Sequence, residues 1–212
     1  MKTISRKCFL HKRISKPLFR ENLDILGLGK VNLTYSICSK CGLIYQSSSP
    51  SNKDLNKYYS DLHFNLDNKI KPTKQKKQNV DRYLSLIKQE FKKFPSSVLE
   101  VSLMNLYTLK MLKKLGSKTL HGLEPNLKFK NKHFGKIKIF NQTIERFKSN
   151  KKYELIILAH VLEHLPNPEL AIKNCFKHQN YGQKILIEVP LFDKIELYPL
   201  AGFTMEHLHY FS

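Results

Sequence analysis

The chain has 212 residues, 37 Lys and Arg against 17 Asp and Glu, and a formal charge of +20. That length builds one sizeable core with room for a small extra module. The longest apolar run, residues 155–162, includes a histidine and falls far short of the roughly 20 residues needed to span a bilayer, so a transmembrane helix is excluded.

Residues 1–13 are basic and carry no apolar secretory segment, which leads us to expect a soluble cytoplasmic protein without a membrane partner. Four cysteines, two of them in a C-x2-C pair, suit metal binding in a reducing compartment better than a disulfide framework. The charge excess is mostly lysine and is dispersed, which favours a lysine-coated surface over a nucleic-acid footprint. An anionic small substrate lies between those two readings.

In chain order, residues 1–50 show short apolar alternations and read as a small β-rich module. Cys38 and Cys41 have the spacing with which two thiolates grip one tetrahedral ion, and Gly42 supplies a permissive backbone just past the pair. Cys8 and His11 provide a C-x2-H half-site, so a structural Cys3His zinc site is expected, against the alternative of reduced surface thiols. Ser51 and Asp54 open a short helix through Tyr58 and Tyr59, and the lysine-rich stretch that follows, to residue 79, reads as an exposed linker or flap. The organisation expected is 1–50 as zinc module, 51–79 as helix and basic linker, and 80–212 as the main domain.

Val80, Tyr83, Leu84, Ile87, Phe91 and Phe94 recur at helical spacing, an amphipathic helix that stops before Pro95. Five apolar segments then follow, at residues 98–101, 119–123, 136–140, 154–159 and 184–189, with helical patterns between them. One of these helices starts at Asn167-Pro168, an N-cap followed by a first-turn proline. Alternation of this kind predicts an α/β fold, a Rossmann-like, doubly wound parallel sheet of about five strands. The polar cluster His160, Glu163 and His164 follows the fourth segment, where ligands of such sheets lie. Cys175 reads as core.

The run His160-Val161-Leu162-Glu163-His164-Leu165 with Pro168, together with Val98-Leu99-Glu100-Val101, Gly122-Leu123-Glu124-Pro125 and Glu206-His207-Leu208-x-Tyr210-Phe211-Ser212, resembles class I S-adenosylmethionine (SAM) dependent methyltransferases. With Cys38-Ser39-Lys40-Cys41, the set is similar to the zinc-bearing branch acting on sugars and related small molecules. The resemblance implies a Rossmann-like fold, SAM as cofactor, structural zinc, and methyl transfer to a sugar or nucleotide-linked sugar. It implies that Glu100 orients the methionine end of the cofactor, that Glu124 holds the ribose, that Thr143 and Ile144 border the adenine, and that His160 faces the sulfonium. Glu206 and His207 become the base candidates.

The family's G-x-G-x-G turn is replaced here by Ser102-Leu103-Met104-Asn105-Leu106, so Ser102 and Met104 stand at cofactor-contacting glycine positions. Side chains there oppose a tight turn and a close approach to the ligand. The family pattern also adds two strands after the fifth, absent before Ser212; an uncovered sheet edge is therefore expected, open to a partner subunit or a homo-oligomer. Beside methyl transfer two alternatives stay open: a catalytically silent methyltransferase-like domain serving as a binding or assembly partner, and nucleic-acid binding through the basic surface.

Overall fold

The computed structural model describes residues 3–13, 15–25, 29–61, 72–103, 106–125, 133–194 and 203–212. Met104 and most of the basic stretch before residue 72 lie outside the described residues. The chain divides into two compact units: residues 1–62, 159–172 and 187–212 form the first, and residues 63–158 and 173–186 the second.

The first unit is built on an antiparallel sheet. β2 (Pro17–Ile25) and β3 (Gly29–Ile37) form a hairpin, and β3 pairs on its other side with β4 (Ile44–Pro50). From Val31 to Tyr35, β3 alternates buried Val31, Leu33 and Tyr35 with the more exposed Asn32 and Thr34, the period-two pattern of a sheet with one covered face, before Ser36 is buried as well. The far side of β4 is shared by two short strands. β1 (Thr3–Ser5) takes residues 48–50, and β11 (His209–Tyr210) takes Ile44 and Tyr45. The E-H-x-x-Y-F-S segment therefore belongs to this sheet rather than to the parallel one. Its Met205, Leu208 and Tyr210 pack with Val31, Leu33 and Tyr35 in one apolar cluster. Helix α1 (Asn52–Asp61) adds Leu55 to it, and is opened by Ser51, whose hydroxyl accepts from the Asp54 amide at 3.2 Å.

The second unit carries a six-stranded sheet. In chain order its strands are β5 (Ser97–Val101), β6 (Thr119–Leu123), β7 (His133–Phe134), β8 (Ile137–Phe140), β9 (Leu155–Ala159) and β10 (Lys184–Glu188), and in space they run β10-β9-β5-β6-β8-β7. β5 is parallel to β6 and β9, and β6 to β8, so these four share one carboxyl-terminal edge. Residues 155–158 are all buried, which is why that segment reads as an uninterrupted apolar run. Six strands replace the expected five. The extra one, β7, is antiparallel to β8 and only two residues long, too short for any periodicity to announce it.

Helix α2 (Lys74–Glu90) buries Val80, Tyr83 and Ile87, and begins well ahead of Val80. Residues 74–79 are thus helical rather than linker: the Thr73 hydroxyl caps the Lys76 amide at 3.2 Å, and the polar first turns are mostly exposed. Helix α3 (Tyr107–Lys114) buries Leu109 and Leu112 completely, each worth about 1.5–3 kcal/mol against exposure. Helix α4 (Pro168–Lys177) starts on the Asn167 cap, its side-chain oxygen accepting from the Leu170 amide at 3.1 Å. Cys175 on α4 is fully buried, and burial raises its thiol to about 12. None of the described helices is long and apolar enough to cross a membrane.

Candidate functional site

In the first unit, Cys8, His11, Cys38 and Cys41 converge, their ligand atoms all within 4.8 Å of one another. Two matching turns bring them together. The Lys12 amide donates to the Cys8 carbonyl at 2.7 Å and the Gly42 amide to the Cys38 carbonyl at 2.8 Å. The residue after each second ligand is left-handed, Lys12 at φ 54° and Gly42 at φ 73°. Cys8 Sγ lies 3.8 Å from Cys41 Sγ, and His11 Nδ1 lies 3.5 Å from Cys38 Sγ and 3.9 Å from Cys8 Sγ. A tetrahedral zinc with bonds of about 2.3 Å to sulfur and 2.0 Å to nitrogen places its donors about 3.5–3.8 Å apart, so the four residues fit that ion. Backbone amides of Lys40 and then Cys41 favour the Cys38 thiolate, lowering its pKa to about 6, whereas burial raises that of Cys8.

A second cluster in the same unit gathers the loop after β9 and the segment before β11. His160 is left-handed at φ 54°; its amide donates to the Glu188 carbonyl at 2.9 Å. Its ring spans two acids, with Nδ1 3.4 Å from Glu163 Oε1 and Nε2 3.7 Å from Glu188 Oε1. The Leu208 amide donates to the Glu163 carbonyl at 2.7 Å, fixing the two segments to each other. Glu206 accepts a 2.5 Å hydrogen bond from the Tyr58 hydroxyl, and its carbonyl accepts from His164 Nδ1 at 3.0 Å. The His207 ring lies 4.9 Å from that of His164. Burial, and then the neighbouring His164, hold His207 below the ordinary histidine range, so it is neutral near pH 7.

The residue that shapes this loop is Gln46, on β4. Its side-chain amide donates to the carbonyls of Thr204, Met205 and His207 at 2.7, 3.0 and 2.9 Å. Nothing in the sequence singles it out, because a glutamine amid serines carries no pattern. Tyr58 and Tyr59 also went unassigned, although adjacent tyrosines on a capped helix are a signal worth following.

In the second unit, β5 and β6 bring the expected cofactor residues along one sheet edge. Glu100, opposite Gly122 in the ladder, is 5% exposed, and its Oε2 has no hydrogen-bond partner among the described residues. Burial raises it to about 7, with Lys76 pulling the other way. Glu124, buried, directly follows β6; its amide donates to the Phe140 carbonyl at 3.0 Å, and its own carbonyl accepts from Asn141 Nδ2 at 3.0 Å. Thr143 is half-buried in the turn after β8, its carbonyl accepting from the Arg146 amide at 3.2 Å. Ile144 is buried, and its carbonyl accepts from Asn174 Nδ2.

Ser102 adopts the left-handed conformation that a glycine would take there, at φ 57°, and its amide donates to the Leu123 carbonyl at 2.8 Å. Leu103 is 1% exposed and packs onto Gly122, where an added Cβ would collide with its side chain. Leu106 is buried too. The turn thus keeps its backbone bend at Ser102 but carries core-packed leucines on both sides of the undescribed pair 104–105.

A methyltransferase-domain family profile matches residues 73–212. No curated protein matches the chain. Among solved structures, the chain is similar to the N-methyltransferase NodS from Bradyrhizobium japonicum WM9, with 16% identity over 60% of this chain and 75% of that one and a TM-score of 0.46. It is similar also to the plantazolicin methyltransferase BpumL in complex with SAH, with 17% identity over 75% of this chain and 61% of that one and a TM-score of 0.48. For the plantazolicin methyltransferase BamL the figures are 12%, 74%, 58% and 0.46. The chain spans about three fifths of the length of the two plantazolicin methyltransferases.

Proposed function

Because the chain belongs to the methyltransferase-domain family, we propose that it transfers a methyl group from S-adenosylmethionine to a small-molecule acceptor, a sugar or nucleotide-linked sugar. The observation that carries this reading is the pair of buried acids, Glu100 and Glu124, at the carboxyl ends of two adjacent parallel strands. An acid in the position of Glu124 accepts from ribose hydroxyls, and the left-handed Ser102 preserves the turn that lets backbone amides approach a ligand. The +20 charge favours an anionic acceptor.

When bound, S-adenosylmethionine supplies an electrophilic methyl on a sulfonium. The protein's part is then proton removal. Neutral His207 would take the proton from the acceptor oxygen, nitrogen or carbon on a ring nitrogen, and the Glu206 carboxylate, held by Tyr58, would stabilise the imidazolium. Cys8, His11, Cys38 and Cys41 would hold a structural zinc, which would fix the turns flanking β1 and β4.

Burial of Leu103 and Leu106 favours a second reading, a domain that keeps the fold for binding or assembly without the cofactor. Thermal unfolding in the presence of S-adenosylhomocysteine separates the two. A ligand at 100 times its Kd stabilises the folded protein by about 2.7 kcal/mol, and an unchanged midpoint at millimolar ligand leaves only the second reading.

A further inference from the structure

We propose that Glu163, His164 and His207 form a second metal site, for a divalent first-row transition ion held by two imidazoles and one carboxylate. The binding claim stands apart from methyl transfer, while its consequence for His207 rests on that reading.

The cluster poses an electrostatic problem that a cation resolves. Glu163 is 1% exposed, and neither of its carboxylate oxygens has a hydrogen-bond partner among the described residues. A buried carboxylate without a donor is expensive, and such groups are paired with a charge or placed on a metal. The imidazole nearest Glu163 is that of His160, 42% exposed, with Nδ1 3.4 Å from Oε1, outside hydrogen-bond geometry; the next, His164, has its tautomer fixed from the other side of the ring. Its Nδ1 faces the Glu206 carbonyl at 3.0 Å, which only accepts, so Nδ1 carries the proton. The Tyr59 hydroxyl, 3.1 Å from the same nitrogen, accepts as well. In the neutral ring Nε2 is then a bare lone pair directed at Glu163 Oε1, 3.8 Å away. Two electron-rich atoms so placed repel unless a positive charge lies between them.

His207 completes the set. The three ligand atoms lie within 4.8 Å of one another, and a first-row ion with bonds of about 2.0–2.2 Å draws its donors to about 3.0–4.2 Å. His164 and His207 are only half-buried, so their rings have room to close that difference. The outer contacts follow the pattern of metal-bound histidines, in which the distal N–H is anchored on a carbonyl. His164 does this with Glu206, whose carboxylate is in turn held by Tyr58.

The donor set differs in kind from the Cys3His cluster, with oxygen and nitrogen in place of sulfur, and so prefers a different ion from the same pool. Occupancy also ties up the nitrogen that methyl transfer assigns to proton removal. Metal binding and base chemistry at His207 are therefore mutually exclusive, and an excess of the ion inhibits.

The test is cobalt(II) uptake by the zinc-replete 212-residue chain, followed by equilibrium dialysis and visible absorption. The expected result is one further equivalent of cobalt per chain, with ligand-field bands and no thiolate charge-transfer band. Glu163→Gln and His207→Gln, each checked for folding by circular dichroism, weaken uptake by roughly 100-fold, and Tyr59→Phe, which touches only the outer contact, by roughly 10-fold. Folded, zinc-replete protein that takes up no cobalt overturns the site, showing that protonated histidines balance Glu163 instead. Uptake unaffected by both Glu163→Gln and His207→Gln overturns it equally. Neither result depends on whether SAM binds.

Discussion

The Tyr58 hydroxyl donates a 2.5 Å hydrogen bond to Glu206 Oε1 across 148 positions of sequence. It comes from α1, which precedes the residues matched by the methyltransferase-domain profile. Burial, followed by the carboxylate itself, raises Tyr58 to about 12, so it remains a donor throughout the working range. A hydrogen bond to a charged group is worth about 1.5–3 kcal/mol. Tyr58→Phe should therefore lower kcat by roughly 10- to 100-fold, with the affinity for SAM unchanged. Steady-state kinetics with both substrates varied checks this, and a loss confined to the KM for SAM would contradict it.

Metal removal should act on stability. The four ligands of the Cys3His cluster sit on two turns, and zinc binding in such modules is itself folding free energy. Dialysis against a strong chelator is expected to lower the unfolding midpoint, and readdition of one equivalent of zinc to restore it. Cys38→Ser should show the low midpoint from the start, with metal analysis reading less than one zinc per chain.

Two substitutions at the strand-to-helix turn should move stability in opposite directions. Ser102 holds φ 57°, a conformation that costs a side-chain-bearing residue about 1–2 kcal/mol, so Ser102→Gly gains up to about 1 kcal/mol after the added freedom of the unfolded chain is deducted. Gly122→Ala drives a Cβ into Leu103 and should lose about 1–3 kcal/mol. Urea denaturation with a common m-value reads both.

Acid should weaken the fold in a defined window. His121 and His209 are both held down to about 4 from the ordinary 6.5, chiefly because burial penalises the imidazolium. The folded state therefore binds fewer protons than the unfolded chain between those values. Stability contributed by the neutral rings is fully present above about pH 6.5 and declines as pH falls towards about 4. Urea midpoints measured across that interval should drop steadily, and His209→Gln should make the slope shallower.

The parallel sheet was legible because its strands are buried on both faces. Residues 155–158 could hardly be anything else, and the helix starts at Asn167, Pro168 and Ser51 carry local chemistry that survives in the fold. What escaped was non-local or very short. The E-H-x-x-Y-F-S segment reads as a late motif of the main domain, yet it pairs with β4, and two residues of ladder leave no periodic trace. The strand β7 is hidden for the same reason. The start of α2 was obscured by its exposed lysines, although the spacing of Thr73 and Lys76 marks the cap.

Around the clusters the limit was different. C-x2-C and C-x2-H spacings suggest ligands directly, because each pair must reach one ion through a single turn. The buried state of Glu163 depends on β11 and the Leu208 amide, far away in sequence, so a loop reading was natural. The loss of the glycines was visible, but not that Ser102 would keep the left-handed bend or that Leu103 would pack against Gly122.

Calorimetric titration of the zinc-replete protein with S-adenosylmethionine, run beside Glu124→Ala, tests the central claim most directly. Saturable binding of one molecule per chain that weakens at least tenfold in the variant, about 1.4 kcal/mol, is the result predicted. Absence of heat up to millimolar cofactor, or equal affinity in both proteins, would contradict the assignment of this sheet edge as the cofactor site.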